Sequence, residues 1–225
     1  MKVLDNFITD QALLEAIRSD TSFFPESMGD KAQVNYGVHE YHDPESKHYS
    51  PYMFWDGWWR SPANTLKKQV IQHIWEHNLP ISQEDVCGFE YWTKTFKPGQ
   101  YLSLHIDEDS HLYKEFQVFS GPLIGCVYYP DFETVSGGFL ELHEYSLEDG
   151  TFFALERGNL DSLSSPIDRR ERIAHKPNRL VIFDAGHTLH NTTAVDHGIR
   201  RVLIVNVWSM NNKPLALETG GFYYE

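Results

Sequence analysis

The chain of 225 residues is 41% hydrophobic and 14% aromatic, which is enough apolar material for a substantial core and counts against long disordered regions. Its formal net charge of −13, from 32 acidic and 19 basic residues, disfavours a nucleic-acid partner, because phosphate binding depends on clustered lysine and arginine. No apolar run approaches the ~20 residues that span a bilayer and the N-terminus lacks a signal-peptide pattern, so we expect a cytoplasmic protein with no membrane partner.

The first 85 residues predict a region of helices and aromatic side chains that supports the rest of the chain. An amphipathic helix is expected to begin at a Thr9 N-cap and to run to about Ser19, because apolar residues follow at helical spacing. Further along, Trp55, Trp58 and Trp59 form an aromatic cluster. We interpret this cluster as packed core in preference to a wall that touches substrate, because large aromatic side chains are usually buried for packing.

A second helix is predicted where Ser61 can act as N-cap and Pro62 can occupy the first helical position. Its apolar stripe continues until just before Asn78. Within this helix, His73 and His77 match the H-x-x-E-H pattern of inverted zinc peptidases and could share a metal. Such a short match is weak evidence in a chain with 12 histidines. Helix histidines without a metal are therefore the favoured interpretation.

From about residue 86 the pattern changes to strands and turns. Cys87 and Cys126, the two cysteines, lie in apolar stretches, so we expect reduced thiols in a core. Charged residues and turn formers predict a long insertion at about 144–177, and 185–195 is interpreted as a loop that carries His190. Apolar or alternating segments predict strands over 86–96, 101–107, 123–129, 137–142, 179–183 and 200–208.

Helices followed by roughly eight strands indicate a mainly β (α+β) fold. The arrangement that we expect is a double-stranded β-helix, or jelly roll, with the N-terminal helices packed on one sheet. Residues 1–225 are expected to form a single domain, with 1–85 as the support region and 86–210 as the jelly-roll core.

His105 and Asp107 stand two positions apart on the predicted strand 101–107, so their side chains project from one face. With His190 the set would contain two imidazoles and one carboxylate, which is the facial triad of non-haem Fe(II) oxygenases and leaves coordination positions open. His187 lies in the same predicted loop and is the alternative third ligand. We favour His190, because it follows the apolar Leu189.

Four blocks of sequence, taken in order, resemble the prolyl-hydroxylase-type branch of the Fe(II)/2-oxoglutarate dioxygenases. The first is a proline-glycine turn that leads into the His-x-Asp strand, and the second is a pair of tyrosines followed by Ser-Gly-Gly. The third is a strand and loop that present a distal histidine, and the fourth is Gly-x-Arg. The blocks are Lys97 to Asp107, Cys126 to Tyr129 with Val135 to Leu140, Asn178 to Phe183 with Leu189-His190, and Gly198-Ile199-Arg200.

This resemblance implies that His105, Asp107 and His190 bind Fe(II). It also implies that 2-oxoglutarate and O₂ are co-substrates, with ascorbate as a supporting reductant. A buried carboxylate needs a cation and a neutral donor, and Arg200 with Tyr129 can supply both to the distal carboxylate of 2-oxoglutarate. Arg201, on the opposite face of the predicted strand, is the alternative arginine. Candidates for lining the metal site or the substrate pocket are Tyr101, Leu140 and Trp208.

The activity implied by the resemblance is hydroxylation of an unactivated C–H bond, coupled to decarboxylation of 2-oxoglutarate to succinate and CO₂. A prolyl residue in a protein or peptide is the first expectation for the substrate. Free proline or another small metabolite is the alternative. Two hypotheses from other functional classes are a zinc peptidase that uses His73 and His77, and a metal-binding jelly roll whose site is vestigial.

Overall fold

Two antiparallel sheets that face each other form the centre of the computed structural model, which describes residues 1–21, 23–24, 53–79, 81–130, 133–144, 168–215 and 217. In spatial order, the larger sheet contains β1 (Lys2–Leu4), β9 (Arg179–Phe183), β5 (Ile124–Tyr129), β12 (Arg200–Ser209), β3 (Val86–Phe96) and β2 (Met53–Trp55). The smaller sheet contains β4 (Leu102–His105), β10 (Leu189–Thr192), β7 (Leu140–Glu144) and β8 (Asp168–Ile173). A ribbon pairs β6 (Ser136–Gly137) with β11 (Val195–His197).

The order in which the chain visits the two sheets is that of a jelly roll. Strands that lie far apart in the sequence pair from the outside of the segment inwards: β3 with β12, β4 with β10, β5 with β9, and β7 with β8. All four pairs are antiparallel. This nested pairing, split between two facing sheets, confirms the predicted double-stranded β-helix.

Each face of the larger sheet packs against a different partner, because successive residues of a strand point to opposite sides. The inner face packs against the smaller sheet, through Phe96, Val127 and Tyr129 on one side and Leu140, Leu142 and Ile173 on the other. The outer face packs against α1 (Gln11–Ser19) and α2 (Leu66–Asn78). Leu14, Ile17, Val70 and Ile74 of these helices share one core with Phe89, Tyr91, Tyr128 and Leu203. The N-terminal helices therefore pack on one sheet, as predicted.

The tryptophan cluster belongs to this outer core. Trp55 is buried and its indole N–H donates to the Ser61 hydroxyl at 2.8 Å. Trp58 stacks on Phe89 with ring centroids 6.3 Å apart, and Trp59 meets the same ring at 5.9 Å. Because Phe89 faces the helices, the cluster lies on the side of the larger sheet away from β4 and β10, in agreement with the core interpretation.

Both N-terminal helices begin later than predicted, because other side chains cap them. The Asp10 carboxylate accepts two backbone N–H groups of the first turn of α1, so Asp10 and not Thr9 is the N-cap. Thr65 is the N-cap of α2. The Ser61 hydroxyl is engaged elsewhere, since it donates to Asp56 at 2.7 Å while accepting the Trp55 indole N–H.

Three boundaries in the second half also differ from expectation. The predicted strand 137–142 is divided, because Gly137 and Gly138 have φ of +71° and +59° and interrupt the extended backbone. The predicted insertion at about 144–177 contains β8, which pairs with β7 and so belongs to the jelly roll; residues 145–167 lie outside the described part. His190 stands on β10 and not in a loop. A short helix that was not predicted, α3 (Ser110–Phe116), follows an Asp109 N-cap.

No helix among the described residues combines the length and the apolar character that crossing a bilayer requires.

Asn178 fastens the N-terminal segment to the larger sheet, and its removal should be measurable. Its Oδ1 accepts the Ile8 N–H at 2.9 Å and the Tyr128 hydroxyl at 3.2 Å, while its Nδ2 donates to the Ile8 carbonyl at 2.9 Å. We expect Asn178→Ala to lower the free energy of unfolding by about 3 kcal/mol, because buried groups on both partners lose their hydrogen bonds. Urea unfolding at neutral pH measures this change, with Asn212→Ala as the exposed control. A loss no larger than that of the control would contradict the prediction.

Candidate metal centre

His105, Asp107 and His190 converge at one point between the sheets. One ligand atom from each side chain lies within 4.8 Å of the others. His105 and His190 stand directly opposite each other on β4 and β10, with ring centroids 4.2 Å apart. Asp107 Oδ1 lies 3.5 Å from His105 Nε2 and 3.7 Å from His190 Nε2. Within the described part of the chain, this is the one group of three such residues that could hold a metal ion.

The backbone after β4 brings Asp107 to this point. β4 ends at His105, so Asp107 lies just beyond the strand. Contrary to the prediction, Asp107 therefore takes no part in the alternation of side chains along that strand. The Asp107 N–H donates to the Ala185 carbonyl at 2.9 Å, which ties this segment to the chain that follows β9. The intervening Ile106 is buried. The His-x-Asp spacing is thus fixed by a strand end and one long-range backbone hydrogen bond.

Both histidines are oriented through their second ring nitrogen. His105 Nδ1 lies 2.7 Å from the Ser103 carbonyl, and His190 Nδ1 lies 2.8 Å from the Thr188 carbonyl. A carbonyl oxygen can only accept, so each Nδ1 carries the proton and each Nε2 presents a lone pair. Enclosure by the surrounding protein, together with the neighbouring His190, lowers the pKa of His105 and favours its neutral form.

The three side chains therefore fit a divalent transition metal. Two neutral imidazoles and one carboxylate are the donor set of facial-triad iron sites, and hydrogen bonds to the far nitrogens are the usual means of aiming such histidines. The alternative ligand His187 is 65% exposed and lies 3.0 Å from Asp184, outside the group. His73 packs edge-on against the Phe7 ring at 5.1 Å, behind the larger sheet, and the His77 side chain lies outside the described residues.

Arg200 and Tyr129 lie together on the inner face of the larger sheet. Arg200 is only 2% exposed, and its Nη2 donates to the Tyr129 hydroxyl at 3.3 Å. The guanidinium carbon also lies 4.9 Å from the Phe96 ring centroid. Among the described residues, no carboxylate pairs with Arg200, and its buried Nε has no hydrogen-bond partner. A buried guanidinium with unmet donors is suited to an anionic ligand.

Arg201 points the other way and forms an ion pair with Glu133 at 3.3 Å, as strand alternation predicts for the outer face of β12. The Ser-Gly-Gly block has a physical role beside Arg200. A Cβ on Gly138 would lie 2.8 Å from Arg200 Cδ and 3.0 Å from Val195 Cγ2, so glycine leaves room for the arginine stem. The backbone φ of +59° at Gly138 also favours glycine.

The three candidates for the pocket lining have different positions. Tyr101 is partly exposed and immediately precedes β4. Leu140 is buried in the core between the sheets, opposite Ile173. Trp208 is buried on the inner side of β12, where its indole N–H donates to Glu90 Oε2 at 2.9 Å.

Polar residues on the inner face of β3 and β12 were missed from the sequence. Glu90 and Lys94 share the inner face of β3, and Asn206 faces Glu90 from β12. Burial raises the pKa of Glu90 to about 7 and lowers the pKa of Lys94 to about 8. The indication in the sequence was that the two charged residues of the predicted strand, Glu90 and Lys94, are four positions apart, which places both side chains on one face.

Comparisons with known proteins give low similarity. No protein-family model and no curated protein matches the chain. Among solved structures, it is similar to a prolyl-4-hydroxylase of Pseudomonas putida, with 14% identity and a TM-score of 0.49 over 92% of this chain and 91% of that one. A prolyl hydroxylase of Trichoplax adhaerens, solved with a peptide fragment of the hypoxia inducible factor oxygen degradation domain, has 13% identity and a TM-score of 0.49 over 96% and 86%.

A 2OG-Fe(II) oxygenase family oxidoreductase of Burkholderia pseudomallei has 11% identity and a TM-score of 0.33 over 55% of this chain and 42% of that one. With TM-scores below 0.5, these similarities assign neither a family nor a substrate to the chain.

Proposed function

We propose that this protein is an Fe(II)- and 2-oxoglutarate-dependent dioxygenase that hydroxylates an unactivated C–H bond. The observation that carries the proposal is the convergence of His105, Asp107 and His190, with both imidazoles aimed by backbone carbonyls. The buried Arg200 and Tyr129 on the facing sheet supply what a dicarboxylate co-substrate would need. The proposal includes the division into a support region over 1–85 and a catalytic core over 86–210.

The protein's own part in this chemistry is to bind, orient and exclude water. His105, Asp107 and His190 would hold the iron and neutralise one of its two positive charges, which leaves it attractive to an anionic keto acid. Iron supplies the activation of O₂. Arg200 can place two N–H groups on the distal carboxylate of 2-oxoglutarate, and the Tyr129 hydroxyl can donate a third hydrogen bond. Phe96, Val127 and Val202 make the surroundings apolar, which strengthens these contacts.

The overall reaction balances without a further reductant. One substrate C–H bond, one O₂ and one 2-oxoglutarate give one C–OH, one succinate and one CO₂. One oxygen atom enters the substrate and the other enters the new carboxylate of succinate. For the substrate, the sequence resemblance predicts a prolyl residue in a protein or peptide, with free proline or another small metabolite as the alternative.

Metal and 2-oxoglutarate binding provide the first test. We expect anaerobic protein to bind Mn(II), as measured by electron paramagnetic resonance, and to bind 2-oxoglutarate only when the metal is present. With Fe(II) and O₂, slow formation of succinate is expected even without a substrate. Protein loaded with Zn(II) is the control and should bind 2-oxoglutarate without forming succinate. Metal binding without any turnover would contradict the proposal and indicate a vestigial site.

A further inference from the structure

A second polar group faces the space between the sheets, beside the metal centre. β3 and β12 pair along their whole length, and Asn206 stands directly opposite Glu90. On β12, Val202 and Ile204 belong to the core between the sheets, so alternation continues this inner face through Asn206 to Trp208. Glu90, Asn206 and Trp208, which we call the inner polar group, therefore point to the same interior as the metal ligands.

The inner polar group lies close to the segment that carries Asp107, with Ala185 between them. Gly125 pairs with Asn206 on the neighbouring strand β5. A Cβ on Gly125 would clash with the Ala185 methyl group and would lie 3.4 Å from Asn206 Oδ1, so these two side chains close on the same small gap. Ala185 in turn accepts the backbone N–H of Asp107 at 2.9 Å. Only one residue thus separates the Asn206 amide from the segment that carries the metal-binding carboxylate.

The inner polar group offers acceptors that the described part of the chain does not satisfy. Asn206 is 2% exposed, and its Oδ1 has no hydrogen-bond partner among the described residues. Glu90 accepts the Trp208 indole N–H at 2.9 Å and is also hydrogen-bonded to the Asn206 side chain, whose amide N–H is the donor. No lysine or arginine in the described ranges forms an ion pair with Glu90. Glu90 is of intermediate exposure although it stands between the sheets.

The electrostatic surroundings of Glu90 would respond to a bound cation. Burial raises the pKa of Glu90 to about 7, and the negative charge of Asp107 acts in the same direction. A cation bound in front of the carboxylate would oppose both effects. Carboxylate and amide oxygens are acceptors, so a group with several N–H donors and a positive charge is the complementary ligand.

We propose that Glu90 and Asn206 bind a protonated amine of the substrate, and that the substrate is an amine-bearing small molecule such as a free amino acid. This assignment rests on the proposed dioxygenase function and replaces the expected prolyl residue as its substrate. A prolyl nitrogen inside a polypeptide is a tertiary amide with neither N–H nor charge, so it offers nothing to these acceptors. The ammonium group of a lysyl side chain in a peptide presents the same chemistry and is the second source to be distinguished.

Ligand binding can be measured without turnover on protein loaded with Zn(II) and 2-oxoglutarate. Isothermal titration calorimetry would compare free proline and lysine, N-acetylproline and Nα,Nε-diacetyllysine as their forms without a charged amine, a lysine-containing peptide and a proline-containing peptide, both peptides with blocked termini. We expect a free amine to bind, its N-acetylated form to bind at least about tenfold more weakly, and the same amine to stimulate succinate formation by the Fe(II) protein. Binding of the lysine-containing peptide alone would support the ammonium site and assign it to a lysyl side chain.

Two variants test the residues themselves. Glu90→Gln keeps the shape and the acceptor for Trp208 but removes the charge, and it should weaken amine binding at least about tenfold. The protein should remain folded, with a melting temperature at or above that of the wild type, because the enclosed carboxylate is desolvated. Asn206→Leu should weaken binding of the same amine. Glu141→Gln is the matched control, since Glu141 also lies on a strand but pairs with Arg172 at 3.3 Å.

The outcomes separate this assignment from the proposed function. Stimulation by the blocked proline-containing peptide with no response to any amine would overturn the ammonium site and leave the dioxygenase proposal intact. Unchanged amine binding by Glu90→Gln would also overturn it, as would failure of every amine tested while succinate still forms. Absence of 2-oxoglutarate binding and of succinate formation in the wild type would instead refute the dioxygenase function.

Discussion

His190→Ala is expected to lose iron and to form succinate at least about 100-fold more slowly than the wild type, because even residues that only support a metal ligand change metal affinity 10–100-fold. His190 is buried, and its Nε2 faces Asp107 at 3.7 Å. Its removal leaves one imidazole and one carboxylate, which is too small a donor set to hold Fe(II) firmly. Metal content after gel filtration and succinate formation measure the two effects.

His187→Ala provides a matched control from the same segment. The His187 ring is 65% exposed and bonds to Asp184, so its loss should leave iron content and turnover within about twofold of the wild type. The reverse result, in which His187→Ala loses iron and His190→Ala retains it, would show that the ligand set is wrong. Equal effects of both variants would point to a general loss of folding, which the far-ultraviolet spectrum would reveal.

Arg200→Gln should raise the KM for 2-oxoglutarate by about 100-fold, because truncating one partner of a buried, hydrogen-bonded charge pair costs about 2–5 kcal/mol. Arg200 is almost fully buried, and its guanidinium is held between Tyr129 and Phe96. The metal ligands are untouched, so Mn(II) binding should be retained. Tyr129→Phe removes a single hydroxyl and should raise the KM about tenfold.

Arg201→Gln is the control that distinguishes a specific role of Arg200 from a general effect of lost positive charge. Arg201 points to the opposite face and pairs with Glu133, so its replacement should leave the KM within about twofold. Steady-state kinetics and calorimetric titration of the Mn(II) protein with 2-oxoglutarate give independent values. A larger effect for Arg201 than for Arg200 would place the co-substrate outside the space between the sheets.

Long regular strands were predictable because their residue pattern alone indicates an extended segment and the faces to which its side chains point. β12 is regular over its length, so the sequence predicted that Arg200 and Arg201 point to opposite faces, and the structure shows that Arg200 is the inward one. β8 and β10 were not found, because they are short and polar. Arg169 to Arg172 has the composition of a solvated loop, and only the pairing of β8 with β7 makes it a strand. His190 likewise lies among polar residues on β10.

The candidate metal centre was predictable for a different reason, since its chemistry needs particular residue types. A histidine, an aspartate two positions later and a distant histidine are recognisable before their distances are known. The inner polar group has no such pattern. Glu90 and Asn206 meet only because β3 and β12 adopt one particular register, and a shift of one strand by one residue would turn one of the two side chains to the opposite face. Contacts of this kind are a property of the folded sheet and cannot be read from either strand alone.

The position of His105 has a consequence for a cell that is short of iron. Among the described strands, β4 lies at the edge of the smaller sheet and pairs with β10 at two registered positions, one of which is His105 opposite His190. An ion bound by both histidines would fasten this short edge strand, and saturation at 100 times the Kd contributes about 2.7 kcal/mol to stability. Without the ion, β4 is held by few hydrogen bonds, and loosening it exposes the unpaired edge of β10 to other chains. Under the proposed function, iron depletion would then promote aggregation of this protein as well as stop turnover.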